Sequence, residues 1–202
     1  MRINKPGAHR LCRAVIRSIV TWRALDAALQ SGGVEQKARG RFANAVESWL
    51  QAEGKPFLVL PEYRRSRHLI DLAVVDHRSV TREHLVVKSL FEVKFNYASQ
   101  CNAEDGGEIR RRVVYAVAQA RNYETTVQAD SAFVLYLIAA PTTKNRPPLG
   151  ECDTGWKYFR ESTEPYMTDA TRALRGSDLH EVLGEYSIRD ATRALYTCLI
   201  AA

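Results

Sequence analysis

Asp71, Glu92 and Lys94 are the residues whose types and spacing could do chemistry. Asp71 sits in the apolar run HLIDLAVVD (68–76), and Glu92 and Lys94 sit in HLVVKSLFEVKFN (84–96). Both runs are rich in Val, Leu, Ile and Phe and read as strands. Residues two apart in a strand project to the same side, so Glu92 and Lys94 point together and Phe91, Val93 and Phe95 point oppositely. Glu-x-Lys occurs at Glu35–Lys37, Glu53–Lys55 and Glu92–Lys94, and only the third lies in a strand pattern that follows another acid-bearing strand. If Leu69, Asp71, Ala73 and Val75 share one face, Asp71 lies beside Glu92. Two carboxylates and an ammonium then meet at one end of a sheet, where burial demands pairing or a bound cation. Carboxylate oxygens suit Mg²⁺ or Mn²⁺. Such an ion polarises a phosphoryl oxygen and lowers the pKa of a bound water. Lys94 is placed to orient that water or to stabilise the charge that develops in the transition state. The plainer alternative is a solvated strand face, with Asp71 as a strand-end hydrogen-bonding group.

The elements that must position these groups follow from periodicity. Phe42, Ala45, Val46, Trp49 and Leu50 form the apolar stripe of a helix over 34–53, stopped by Gly54 with Pro56 beyond it. A strand is expected at 57–64, ahead of the two acid-bearing strands. Ile109, Val113, Ala116, Val117 and Ala120 mark a helix over 108–126, and AFVLYLIAAP (132–141) reads as a strand covered on both faces. Residues 141–150 are expected as a loop, and 151–202 as irregular chain followed by two or three helices. DATRAL recurs at 169–174 and 190–195, which suggests two similar short helices. At the other end, Leu11, Val15 and Ile19 repeat at helical spacing, with Arg10, Arg13 and Arg17 on another face, before Ser31-Gly32-Gly33 breaks the chain. The expected organisation is a basic N-terminal helix (1–33), a core (34–141), and a C-terminal loop and helical extension packed on it (142–202). The fold class is α/β, a central mixed sheet flanked by helices.

With these elements placed, the chain resembles the PD-(D/E)XK nuclease superfamily. The order helix, three strands, helix, strand is that of its restriction-endonuclease-like core. Asp71 falls in the second strand and Glu92-Val93-Lys94 in the third, where the superfamily carries its metal-binding Asp and its Glu-x-Lys. Ile70 stands where the namesake motif has Pro. QARNY (119–123) looks like the Gln-hydrophobic-x-x-Tyr motif of the RecB-like branch, in which the Gln and Tyr support the active site and the substrate strand. The resemblance covers roughly 34–141 and implies a divalent-metal-dependent endonuclease or exonuclease. Asp71 and Glu92 would bind Mg²⁺ or Mn²⁺ with the Val93 carbonyl, and Lys94 and Gln119 would complete the catalytic set. A further acid from the first helix is expected, with Glu47 as the candidate and Glu35, Glu53 and Glu62 as rivals.

The charge balance is +6 over 202 residues, with 22 Arg against 7 Lys. Residues 1–125 hold 21 basic and 13 acidic side chains, a net +8, whereas 126–202 are net −2. Arginine's planar fork suits phosphate oxygens, so nucleic acid, DNA first, is the expected partner. Arg64, Arg65 and Arg67 in one turn, Arg110, Arg111 and Arg112 at a helix start, and Tyr123 are the expected contacts. Asn96 and Tyr97 are candidates for a base or sugar. The composition excludes a disordered chain, and no apolar stretch is long enough for a membrane span. Cys12, Cys101, Cys152 and Cys198 are scattered without paired spacing, which argues against a zinc cluster or a disulfide scaffold. A cytoplasmic protein is expected. Two other readings stay open: a nuclease-like module that binds nucleic acid without cutting it, and a protein-interaction subunit. Residues 142–202 are expected to set specificity, or to dock a second copy or a partner protein.

Overall fold

A computed structural model of the chain describes residues 1–31, 34–65, 67–76, 78, 85–101, 107–142, 164–176 and 180–202. Three helices come first, α1 (Lys5–Val20), α2 (Leu25–Ser31) and α3 (Val34–Ala52). Strands β1 (Leu58–Arg65), β2 (His68–Asp76) and β3 (Val86–Tyr97) follow, then α4 (Gly107–Val127) and β4 (Ala132–Pro141). The chain closes with α5 (Glu164–Arg175), β5 (Glu181–Arg189) and β6 (Arg193–Ala201). The elements from α3 to β4 fall where the apolar periodicities predict them, because each has one strong stripe or one continuous run. Gly54 ends α3 as expected. It sits at φ 63°, its N–H bonds to the Gln51 carbonyl and that of Lys55 to the Leu50 carbonyl, a pairing that satisfies the last helical carbonyls.

The six strands form one mixed sheet in the order β1-β2-β3-β4-β6-β5. β3 and β4 are parallel, joined by α4 as the crossover; the other pairs are antiparallel. β4 is buried on both faces. Phe133, Leu135, Leu137 and Ala139 face a core shared with α1, α2 and α3, and Val134, Tyr136, Ile138 and Ala140 face one shared with α4 and α5. The molecule is therefore three layers, helices on either side of a sheet. Among the described residues no helix is long and apolar enough to cross a membrane.

The described C-terminal residues do not form the two or three helices expected over 151–202. The described part of 142–202 holds one helix, α5, and the β5–β6 hairpin that extends the main sheet beyond β4. The loop expected at 141–150 lies outside the described residues from 143 on. The two DATRAL copies adopt different structures. At 169–174 the segment is helical, and Ala170, Ala173 and Leu174 bury against the second core. At 190–195 the Asp190 carboxylate accepts the N–H groups of Thr192 and Arg193 and closes the hairpin turn. The apolar YTCLIA that follows Leu195 then enters the sheet, so flanking sequence, not the hexapeptide, decides.

The basic N-terminal helix is deeply embedded. Leu11, Cys12, Val15, Ile16 and Ile19 are fully buried, and α1 packs against β5 and β6. The close approach is at Gly184, where a β-carbon would lie 2.5 Å from the His9 nitrogen and 2.6 Å from the Ala8 carbonyl carbon. Gly184→Ala should therefore lower stability by roughly 1–3 kcal/mol through overpacking. Gly40, inside α3 with no atom within 4 Å of the added position, is the control. Gly40→Ala should raise stability by about 0.5–1 kcal/mol. Urea denaturation of the two variants beside the parent chain measures both, and effects of equal sign would contradict the packing described.

Candidate active site where two strands part

The pairing of β2 with β3 runs from Asp76–Val86 to Leu72–Phe91, whereas its pairing with β1 continues to His68–Arg65. Beyond Phe91 the two strands separate, and β3 turns backbone donors into the gap. A buried N–H without an acceptor is costly. Here the acceptors are carboxylates. Asp71 Oδ2 takes the Val93 N–H at 2.9 Å, and Glu35 Oε2, from the first turn of α3, takes the Phe95 N–H at 3.1 Å.

Glu92 and Lys94 project from β3 at the same place, as the two-residue spacing predicts. Lys94 Nζ donates to Glu92 Oε1 at 2.6 Å, and Glu92 Oε2 is buried without a hydrogen-bond partner. Burial first, and then the neighbouring charge of Asp71, push the Glu92 carboxyl up to about 7 against the pull of Lys94. Burial works against the Lys94 ammonium, but the charge and hydrogen bond of Glu92, with Glu35 and Asp71 behind, outweigh it and raise its pKa. Lys94 is thus a cation at neutral pH.

Arg39 completes the cluster and was not anticipated. It lies one turn after Glu35 on α3 and is mostly buried. Its Nη2 is 3.1 Å from Asp71 Oδ1 and 3.9 Å from Glu35 Oε1, and its Nη1 is 3.0 Å from Glu62 Oε1. The Glu35–Arg39 spacing of four was the available signal. Glu62 has a left-handed backbone, φ 51°, in β1, at a position bracketed by the partner pairs Pro61–Leu72 and Tyr63–Ile70. That conformation is rare outside glycine. It also reverses the side-chain alternation of β1: Val59 packs with the first core, whereas Leu60 and Tyr63 both pack with the second.

The remaining expected residues divide. Gln119 donates to the Tyr123 hydroxyl at 2.9 Å, and the Tyr123 ring meets the His68 ring edge-on at 5.3 Å, three residues before Asp71. Glu47 is not brought to the cluster. It lies twelve residues beyond Glu35 on the same helix, about 18 Å along its axis, and the α3 acid at the site is Glu35. Arg65 is half-buried and donates to the Val127 carbonyl at the end of α4. Arg111 and Arg112 both pair with Glu108, at 2.6 and 2.8 Å. Arg64, Arg67 and Arg110 are exposed. Asn96 and Tyr97 are buried instead of reaching out to a base or sugar. Asn96 accepts from the Tyr136 hydroxyl, and Tyr97 donates to the Leu29 carbonyl.

The donor set suits a hard divalent cation in charge and chemistry. Four carboxylates (Asp71, Glu92, Glu35, Glu62) face two cations (Arg39, Lys94), a formal −2, and one buried carboxylate oxygen is unpartnered. Among the described residues no three His, Cys, Asp or Glu side chains stand as a ready-made metal cage, so binding would require local rearrangement. No protein-family model, no curated protein and no solved structure matches the chain.

The raised Glu92 carboxyl has a measurable consequence in chelator. The unfolded chain ionises Glu92 near 4.5, while the native one keeps its proton to about 7, so the native state binds more protons in that window. Glu92 therefore favours the native state less as pH rises through the window. The stability of the parent relative to Glu92→Gln should fall by on the order of 3 kcal/mol between about pH 4.5 and about pH 7. Denaturation curves of both proteins across that range in EDTA measure the difference, and a constant difference would show that the carboxyl titrates normally.

Proposed function

We propose that this chain is a divalent-metal-dependent nuclease of the PD-(D/E)XK superfamily, with a restriction-endonuclease-like core, that hydrolyses phosphodiester bonds in DNA. The observation that carries the reading is the convergence of Asp71, Glu92 and Lys94 at the parting of β2 and β3, with Glu92 Oε2 buried and unpartnered. Asp71, Glu92 and the Val93 carbonyl would hold Mg²⁺ or Mn²⁺, and Glu35 replaces Glu47 as the acid supplied by the first core helix. The ion would supply charge stabilisation at a phosphoryl oxygen.

Lys94 Nζ is protonated at neutral pH, so it serves as a hydrogen-bond donor and a positive charge, not as a base. It can hold the attacking water or a non-bridging phosphate oxygen and stabilise the negative charge that grows there. Hydrolysis forms a bond from the water oxygen to phosphorus and breaks the bond to the 3′ oxygen, which leaves as a hydroxyl; the product keeps a 5′-phosphate. Gln119 and Tyr123, bonded to each other beside His68, would steady the substrate strand. The exposed Arg64, Arg67 and Arg110 supply charge for the phosphate backbone.

Supercoiled plasmid should be nicked in Mg²⁺ or Mn²⁺ and left intact in EDTA, and Lys94→Ala should lower the rate by about 100-fold or more. Equal cleavage by parent and variant would remove Lys94 from the chemistry.

One observation favours the second reading, a module that binds nucleic acid without cutting it: the Arg39 guanidinium already neutralises Asp71. Retention of DNA in EDTA, with no cleavage of duplex DNA, single strands or RNA, would select it. Under either reading affinity should fall with salt, and neutralising about five phosphates gives a log–log slope near −4 to −5 on duplex DNA. Filter binding from low to moderate salt measures the slope, and a flat response would reject both.

A further inference from the structure

Arg39 stands where a bound cation would be expected to stand. One guanidinium nitrogen touches Asp71 and faces Glu35, and a second touches Glu62. Without it, Asp71 and Glu35, each held by a backbone N–H two residues apart on the same edge of β3, would stand side by side with no positive charge between them. Two carboxylates held that way repel unless a positive charge lies between them.

The guanidinium fills this place incompletely. Its Nε is buried and has no acceptor, so the desolvation of one donor is not recovered. The cluster also keeps a formal −2 with Arg39 and Lys94 both in place. Exchange of Arg39 for a divalent ion would take that charge from −2 to −1, a balance the single charge of Arg39 does not reach. Glu62 lies at the open rim, with its side chain 57% exposed, and bonds to the other end of the same guanidinium. Arg39 can therefore release Asp71 and Glu35 while staying tethered to Glu62.

We propose that Arg39 is the resident counter-ion of this site: it holds Asp71 and Glu35 in position in the metal-free protein and is exchanged for a divalent cation when one binds. Arg39 is a positioning residue in this scheme. It keeps the carboxylates organised without metal, and it sets the affinity for metal, since an incoming ion must displace it. The released guanidinium then projects from the rim, where its fork suits a phosphate oxygen of the substrate. The inference rests on the metal-dependent reading of the site.

The test is metal binding, read independently of cleavage. Calorimetric titration of the EDTA-stripped, dialysed protein with Mn²⁺ should show Arg39→Gln binding at least tenfold tighter than the parent, with Arg39→Lys between them. Arg39→Gln should melt below the parent in EDTA and gain more from added Mn²⁺, which also shows that the variant is folded. Displacement itself is read by NMR in diamagnetic Mg²⁺. The Arg39 Nε–H resonance should be protected from exchange in EDTA and move to the position of exposed arginines on saturation. Equal or weaker Mn²⁺ binding by Arg39→Gln, or an Arg39 resonance unmoved at saturating Mg²⁺, overturns the inference. If plasmid is cut with dependence on Lys94 while Arg39→Gln binds Mn²⁺ no tighter, the exchange fails and the nuclease reading stands. If Arg39→Gln binds tighter but no nucleic acid is ever cut, the exchange stands and the nuclease reading falls.

Discussion

The N–H groups of Val93 and Phe95 point into a gap where β2 has left β3, and the site is organised by what accepts their hydrogen bonds. In a continuous sheet those donors would bond to carbonyls of the neighbouring strand. Here they bond to the side chains of Asp71 and Glu35. This substitution pins two carboxylates at fixed positions along one edge of β3. It brings α3 against the end of the sheet and makes a buried positive charge necessary between them. Arg39 supplies that charge from the same helix, four residues after Glu35. Glu62, held in a left-handed backbone on β1, takes the other end of the guanidinium at the open rim.

Glu92 and Lys94 project from the same edge, and their electrostatics follow from the same crowding. Desolvation and the nearby Asp71 charge work against ionising Glu92, while Lys94 works for it. A buried carboxylate oxygen without a partner, next to a protonated lysine, is an expensive arrangement for an inert protein surface. Perturbed groups of this kind gather where chemistry is done. The cost is carried by a scaffold with two well-packed cores, so the site can remain under-satisfied without loss of the fold.

Much of that scaffold is legible in the chain. α3 through β4 fall where the periodicities put them, because an apolar stripe at helical spacing, or a run such as AFVLYLIAAP, has few ways to bury itself. The pairing of Glu92 with Lys94 was legible too, since alternation along a strand is a local property. Glu47 was a weaker inference. Its place beside the apolar stripe says which side of the helix it occupies, but not which end of that helix meets the sheet. Arg65, Arg111 and Arg112 read as phosphate ligands by type, yet their partners Val127 and Glu108 are set by how β1 meets α4 and by spacing within α4.

The sequence by itself determined an α/β chain with a central buried strand, a basic first half, and an acid–acid–lysine set on adjacent strands. These depend on composition and on periods of two and 3.6 residues, which act over short range. Only the tertiary structure decided that β2 parts from β3 at Asp71, that Glu35 and Arg39 enter from α3, and that the second DATRAL becomes a hairpin turn leading into a strand. Each of those depends on which surfaces remain to be covered and which donors remain to be bonded once distant segments have packed. That is a property of the assembled sheet, and a hexapeptide or a single helix does not contain it.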